Sequence, residues 1–126
     1  MTPNRVRRLF ELARDRFPTH RGWAYHGHDT FGLGVANAIA AWDAGVRVMD
    51  ASFGGLGGCP FAPGATGNVA TEDVVWTFSQ MGIPSGVDFE KLLSAARRAA
   101  AIPTALHGGR VRGAFDARLC LDTPSP

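Results

Sequence analysis

The sequence is poor in the features that mark secreted and membrane-bound proteins. Two cysteines, Cys59 and Cys120, occur among 126 residues, and the segment Met1–Arg5 lacks the apolar stretch of a secretory signal. A chain of this kind is more typical of a reducing cytoplasm than of an oxidising compartment. No apolar run approaches the ~20 residues that cross a bilayer, so we expect no membrane partner.

The excess of positive over negative charge is also small. The formal net charge is +2, and no run of basic residues reaches five. Binding to nucleic-acid phosphates needs a stronger basic surface, so no nucleic-acid partner is expected. The chain contains no Gly-Lys-Ser/Thr of a Walker-type loop, no internal repeat and no domain linker.

What remains is the composition of one modest globular domain, with 45% hydrophobic and 19% charged residues. Apolar periodicity predicts helices at about 3–17, 32–44, 71–82 and 89–100, and strands at about 23–28 and 46–52. Thr2, Thr71 and Asp88 are the predicted N-caps. This order indicates a parallel α/β fold with too few strands for an independent sheet. The simplest interpretation is the C-terminal portion of a TIM barrel at residues 1–103, followed by an irregular tail at 104–126.

Two histidines give the sharpest local pattern. His26 and His28 alternate on a predicted strand, so their side chains point to the same face near its C-terminal end. Two imidazoles placed in this way can bind one cation, and Asp29 could orient one of them. Two structural histidines that hydrogen-bond backbone near a strand end are an equally open interpretation.

A glycine-rich loop follows the second strand, from about Phe53 to Asn68. Because prolines interrupt it and no helix starts directly after its glycines, it does not fit a dinucleotide-binding loop. It presents Cys59 after Gly57 and Gly58, and a thiol near a bound cation can move protons. A small buried apolar residue is the alternative.

The surroundings of several further residues also indicate their roles. Asn68 carries an amide oxygen that suits Mg²⁺ or Mn²⁺, although an asparagine in a turn is the default interpretation. Arg110 and Arg112 lie among glycines and could meet phosphate groups, but a solvated basic loop is the expectation. His107 is also expected to be solvated, and the tryptophans to be packing residues.

Together these residues resemble the hydroxymethylglutaryl-CoA lyases, which belong to the metal-dependent aldolase-type barrel superfamily. The similarity covers residues 2–95 and is strongest over 55–62 and 64–73, the segments around Gly-Leu-Gly-Gly-Cys-Pro and Thr-Gly-Asn-Val-Ala-Thr-Glu-Asp. It implies cleavage of a 3-hydroxy-3-methylglutaryl thioester to acetyl-CoA and acetoacetate, as in leucine degradation. His26, His28 and Asn68 are then expected to bind Mg²⁺ or Mn²⁺, with Cys59 as the catalytic cysteine and no organic cofactor.

The resemblance also indicates what the sequence lacks. No segment matches the family's first strand, which brings an arginine and a metal-binding aspartate, and the chain corresponds to about strands six to eight. We therefore expect a lyase fragment with little activity alone, which needs a complementing N-terminal barrel half or forms a homo-oligomer. The alternatives are a non-catalytic binding or assembly module, and a lyase for another branched 3-hydroxyacyl-CoA thioester.

Overall fold

The computed structural model describes residues 1–58 and 67–122. Within those ranges the elements, in chain order, are α1 Pro3–Arg16, β1 Ala24–His26, α2 Gly34–Asp43, β2 Val48–Asp50, α3 Thr71–Gln80, α4 Phe89–Ala100 and α5 Val111–Asp122. A single 3-10 turn at Phe53–Gly55 opens the glycine loop. None of these helices is both long enough and apolar enough to span a bilayer.

The two strands form a parallel pair joined by α2, as the sequence predicts. Tyr25 lies opposite Met49, and His26 lies opposite Asp50. The chain returns to the sheet after the glycine loop, where Ala70 makes a parallel bridge to Ser52. The end of the loop therefore lies against the C-terminal ends of both strands.

One face of the strand pair is buried against helices. Tyr25 is 6% exposed and packs in the main core with side chains from α1, α2 and α3, among them Val6, Ala38 and Phe78. Burial raises the pKa of the Tyr25 hydroxyl, and the nearby Asp29 carboxylate raises it further. Small alanines on α2 allow close packing, which explains why this alanine-rich helix is buried on several sides.

Two of the three predicted N-cap positions are correct, and one of these two residues makes a side-chain hydrogen bond. The Asp88 side chain accepts a hydrogen bond from the Lys91 N–H at the start of α4. Thr2 occupies the N-cap of α1 without a side-chain bond, and Pro3 fills the first turn as expected. The prediction for Thr71 is wrong, because Thr71 is already helical and Ala70 is the N-cap residue.

The expectation of an irregular tail is also wrong for much of its length, because residues 111–122 form α5. Its apolar pattern is weak, so local periodicity gave little indication of a helix. The helix is held instead by tertiary contacts: Phe115 packs edge-on against Trp76 of α3, with ring centroids 5.0 Å apart, and also against Phe89. Aromatic pairs of this geometry stabilise beyond the area they bury.

Candidate metal and glycine-loop site

The second face of the strand pair carries the predicted site. Ala24 and His26 of β1 and Val48 and Asp50 of β2 lie on it, and we call these four residues the open face. Alternation along each strand turns Tyr25 toward the helices and leaves its neighbours exposed. The side chains of His26 and Asp50 are 54% and 65% exposed. This chain therefore contributes no layer of its own over that face in the described residues.

The structure brings the two predicted histidines together. The rings of His26 and His28 lie 5.4 Å apart, centroid to centroid, in an edge-to-face arrangement. His28 lies just beyond β1 and makes an antiparallel bridge to Asn68. The structure therefore places His28 next to the ring of His26 and opposite the backbone of Asn68.

Asn68 is held in a specific orientation at this bridge. Its side-chain N–H donates to the Leu56 carbonyl at 2.9 Å, which fixes the amide plane. Its Oδ1 is buried and has no hydrogen-bond partner among the described residues. Leaving a buried amide oxygen without a partner costs roughly 1–3 kcal/mol, so such an atom is suited to a ligand that satisfies it.

These donors fit a divalent cation in type, although they do not complete its coordination. Two imidazoles and one amide oxygen suit Mn²⁺, and the oxygen also suits Mg²⁺. In residues 1–58 and 67–122, no group of three or more His, Cys, Asp or Glu side chains could hold a metal ion. The predicted catalytic Cys59 lies outside the described residues.

The two acids near the histidines have different roles. Asp29 accepts a hydrogen bond from the Gly34 N–H at 2.6 Å, at the start of α2. Asp29 therefore bonds the first turn of α2, whose N-cap residue is Leu33, rather than a histidine ring. The acid that contacts a ring is Asp50, which sequence reasoning did not single out. A parallel register cannot be assigned from sequence, so the pairing of His26 with Asp50 could not be foreseen.

Beneath the loop that carries Cys59, three backbone segments meet in what we call the loop base, formed by residues 54–57, 67–68 and 106–108. The Gly57 N–H donates to Leu106, and the Gly108 N–H donates to Gly54. Gly67 lies so close that a Cβ there would overlap the carbonyl oxygens of Gly55 and Gly57. Gly57 and Gly58 themselves are exposed at the start of the undescribed stretch.

A buried carboxylate anchors the loop base. Glu72 is 0% exposed, accepts the Gly54 N–H at 2.9 Å and lies 3.4 Å from the Arg112 guanidinium. The expectation that Arg112 is solvated is therefore wrong, since its side chain is 12% exposed. Glu72 lies in the first turn of α3, and no sequence pattern indicated that its carboxylate is buried.

Asp73 fixes the C-terminal helix to the same place. Its carboxylate accepts the backbone N–H groups of Arg110 and Val111 at 2.9–3.0 Å, which satisfies the free donors at the start of α5. Arg110 is exposed, as is His107, in agreement with their expected solvation. Two adjacent residues of α3, Glu72 and Asp73, thus hold the loop base and the start of α5.

Comparison with known protein families identifies the family of this chain. The model of the HMGL-like family matches residues 1–98. The chain belongs to that family. Its first part is also 50% identical, over 95 residues, to a hydroxymethylglutaryl-CoA lyase of Bacillus subtilis. That stretch is 75% of this chain and 31% of the relative, so the chain spans about a third of the length of the curated relatives it matches.

Other relatives broaden the comparison. An (R)-citramalyl-CoA lyase of Chloroflexus aurantiacus is 46% identical over 75% of this chain and 29% of its own length. The crystal structure of hydroxymethylglutaryl-CoA lyase from Pseudomonas aeruginosa superimposes with a TM-score of 0.84 at 42% identity, covering 94% of this chain and 39% of that one. Because such neighbours are TIM barrels, the chain is a part of a barrel-like fold.

Proposed function

We propose that the chain forms part of a divalent-metal-dependent lyase that cleaves 3-hydroxy-3-methylglutaryl-CoA to acetyl-CoA and acetoacetate. Family membership and the names of the relatives support the reaction class. The observation that carries the site is the buried, unpartnered Oδ1 of Asn68 at its bridge to His28, whose ring lies 5.4 Å from that of His26.

In this proposal His26, His28 and Asn68 hold the cation. When bound, Mg²⁺ or Mn²⁺ supplies Lewis-acid polarisation and a template for the substrate's oxygens. The protein's own part is to keep these donors in place: β1 holds His26, the bridge holds His28, and Leu56 holds the amide of Asn68. Such fixed donors lower the reorganisation needed during the reaction.

Cys59 is the proposed proton-transfer residue. Cleavage requires loss of the proton from the tertiary hydroxyl, breakage of the carbon–carbon bond, and protonation of the thioester enolate that is left. The residues that precede this loop are held beside Asn68, because the Leu56 carbonyl accepts the Asn68 side-chain N–H. We assign the last protonation to the Cys59 thiol on the strength of the family resemblance.

Calorimetric titration of the full chain with Mn²⁺ tests the metal site. We expect one binding event that is lost in His28→Ala and retained in His20→Ala, a matched change of an exposed histidine that is neither a proposed ligand nor part of the loop base. Equal affinities of the two variants would contradict the assignment of His28, and no binding to the unaltered chain would contradict the site in this chain.

Activity is tested by complementation, because the chain spans about a third of its relatives. The chain is mixed with the preceding part of the Bacillus subtilis lyase, and acetoacetate release from hydroxymethylglutaryl-CoA is measured with Mn²⁺. We expect release from the mixture, little from either piece, and loss in Cys59→Ala. Failure of a folded mixture to release acetoacetate would favour the assembly-module alternative.

The acyl group has a second candidate. Relatives are named as lyases for (R)-citramalyl-CoA and for 3-hydroxy-3-isohexenylglutaryl-CoA, so another branched 3-hydroxyacyl thioester is the alternative substrate. Presenting these thioesters in the same assay and comparing kcat/KM separates the candidates. The proposed setting is the cytoplasm, and the proposed partner is a complementing barrel half or a second copy of the chain.

A further inference from the structure

The open face contains one polar contact that the proposed metal site does not use. The Nδ1 atom of His26 and the Oδ2 atom of Asp50 lie 2.9 Å apart. The contact follows from the strand register, because His26 and Asp50 are direct partners in the parallel pair and project to the same side. It therefore depends on backbone pairing and not on two long flexible side chains.

The chemistry of the pair decides which nitrogen is free. A deprotonated carboxylate only accepts hydrogen bonds, and a neutral imidazole carries one N–H. The Nδ1 atom of His26 must then be the donor, which leaves the lone pair on Nε2. Metal-binding histidines in proteins commonly donate the other ring N–H to a carboxylate, which fixes both tautomer and ring orientation.

The neighbouring acid is not a substitute for Asp50. Asp29 follows His28 directly, but its Oδ1 accepts the Gly34 N–H at 2.6 Å at the start of α2. Among the described residues, Asp50 is the acid in hydrogen-bond contact with either histidine ring.

We infer that Asp50 is a positioning residue, which holds His26 in the Nδ1–H tautomer and directs its Nε2 atom to the cation. The inference rests on the proposed metal site, because directing Nε2 matters only where a cation binds. The tautomer itself is a property of the metal-free chain. Asp50 acts through His26 and is not assigned a bond to the metal.

The tautomer is measured by nitrogen NMR of the metal-free chain with labelled histidine at pH 8. In the unaltered chain we expect His26 to show a protonated Nδ1 and an unprotonated Nε2. In Asp50→Ala we expect the reverse, because a free histidine side chain favours Nε2–H. Asp50→Asn keeps an acceptor oxygen and should retain part of the original signal. A protonated Nε2 in the unaltered chain overturns the inference.

Affinity for Mn²⁺ gives the second readout. Calorimetry should give a loss of about 10–100-fold in Asp50→Ala, the usual effect of removing such a partner, and a smaller loss in Asp50→Asn. Asp43→Ala is the matched control, since it removes an acid from an exposed ion pair with Arg7. Unchanged affinity in a folded Asp50→Ala chain overturns the positioning role.

The two readouts separate this inference from the proposed function. If the unaltered chain binds no Mn²⁺, the metal site proposed for this chain fails, and the tautomer measurement alone decides whether Asp50 orients His26. If Mn²⁺ binds and the tautomer is Nε2–H, the metal site stands and the role of Asp50 fails. Circular dichroism of each variant confirms that the helices remain folded.

Discussion

Acidic side chains occupy two regions of this molecule in opposite surroundings. On the open face, the Asp50 side chain is 65% exposed and has His26 as its partner. At the loop base, Glu72 is 0% exposed and bonds both a backbone N–H and a guanidinium. An exposed pair contributes little to stability, whereas a buried carboxylate is costly to leave without partners.

This difference separates the exposed groups of the proposed metal site from the buried groups that hold the loop base. In the part of the chain that the structure describes, the side chains of His26 and Asp50 are more than half exposed, so they are accessible to a substrate or a completing layer. Glu72 and Asp73 lie beneath the loop and contribute no atom to the open face. Substitutions in the two regions should therefore affect different measurements, and four of them test this in order of expected effect.

Glu72→Ala should have the largest effect on stability. It leaves the Arg112 guanidinium, 12% exposed, without its carboxylate, and it also frees the Gly54 N–H. Removing one partner of a buried pair costs about 3–5 kcal/mol in the free energy of unfolding, measured by urea titration. Glu90→Ala, at an exposed acid in the first turn of α4, is the control. A cost below about 1 kcal/mol would show that the buried Glu72 contributes no more to stability than an exposed acid, contrary to the comparison of the two regions.

Gly67→Ala should come next, at about 1–3 kcal/mol. The added methyl group would overlap the carbonyl oxygens of Gly55 and Gly57, which are backbone atoms and cannot rotate away. Gly22→Ala is the matched control, because a Cβ there meets no atom within 4 Å. If thermal unfolding of the two variants is the same, the loop base is not as closely packed as the structure indicates.

Asp73→Ala should cost about 1–2 kcal/mol, as for the loss of a helix cap. It removes the acceptor for the Arg110 and Val111 N–H groups at the start of α5. Hydrogen exchange should accelerate selectively in residues 111–118, and Asp73→Asn, which keeps an acceptor oxygen, should lose less protection. Uniform exchange across all helices would show that Asp73 does not act locally on α5.

His28→Ala should have the smallest effect on stability, within about 0.5 kcal/mol, although it removes a proposed ligand. The bridge at this position is held by backbone bonds of the flanking residues, from the Asp29 N–H to Gly67 and from the Val69 N–H to Gly27, whatever the side chain of residue 28. Equilibrium unfolding by urea in the absence of metal measures this. A cost as large as that of Asp73→Ala would mean that the open face is part of the stabilising core, contrary to the comparison.

Much of the fold was predictable from local patterns. Helices α1, α2, α3 and α4 and both strands lie within about three residues of their predicted bounds, because apolar periodicity and the Pro3 and Asp88 end signals are local properties. Helix α5 was missed because tertiary contacts, including Phe115 with Trp76, hold it in place. The residues next to Phe115 in the sequence do not indicate such a contact.

The candidate site divides in the same way. Spacing alone put His26 and His28 on one side of a strand, and the structure brings their rings within 5.4 Å. Spacing could not say that Asn68, 40 residues further along, forms a bridge to His28, or that Asp50 rather than Asp29 meets a ring. The chemistry of its amide oxygen and the family resemblance both made Asn68 a candidate ligand, whereas neither assigned a role to Asp50.

The sequence by itself determined the periodic elements, the two histidines at the end of one strand and membership of a lyase family, since each depends on residues close together in the chain or on direct similarity. Tertiary structure alone decided which acids are buried and which are exposed. The neighbours of Glu72 and Asp73 in the sequence do not indicate burial. Both carboxylates are buried because residues 106–112 fold back over α3. Whether a carboxylate anchors a loop or orients a histidine depends on the partners that long-range folding brings to it.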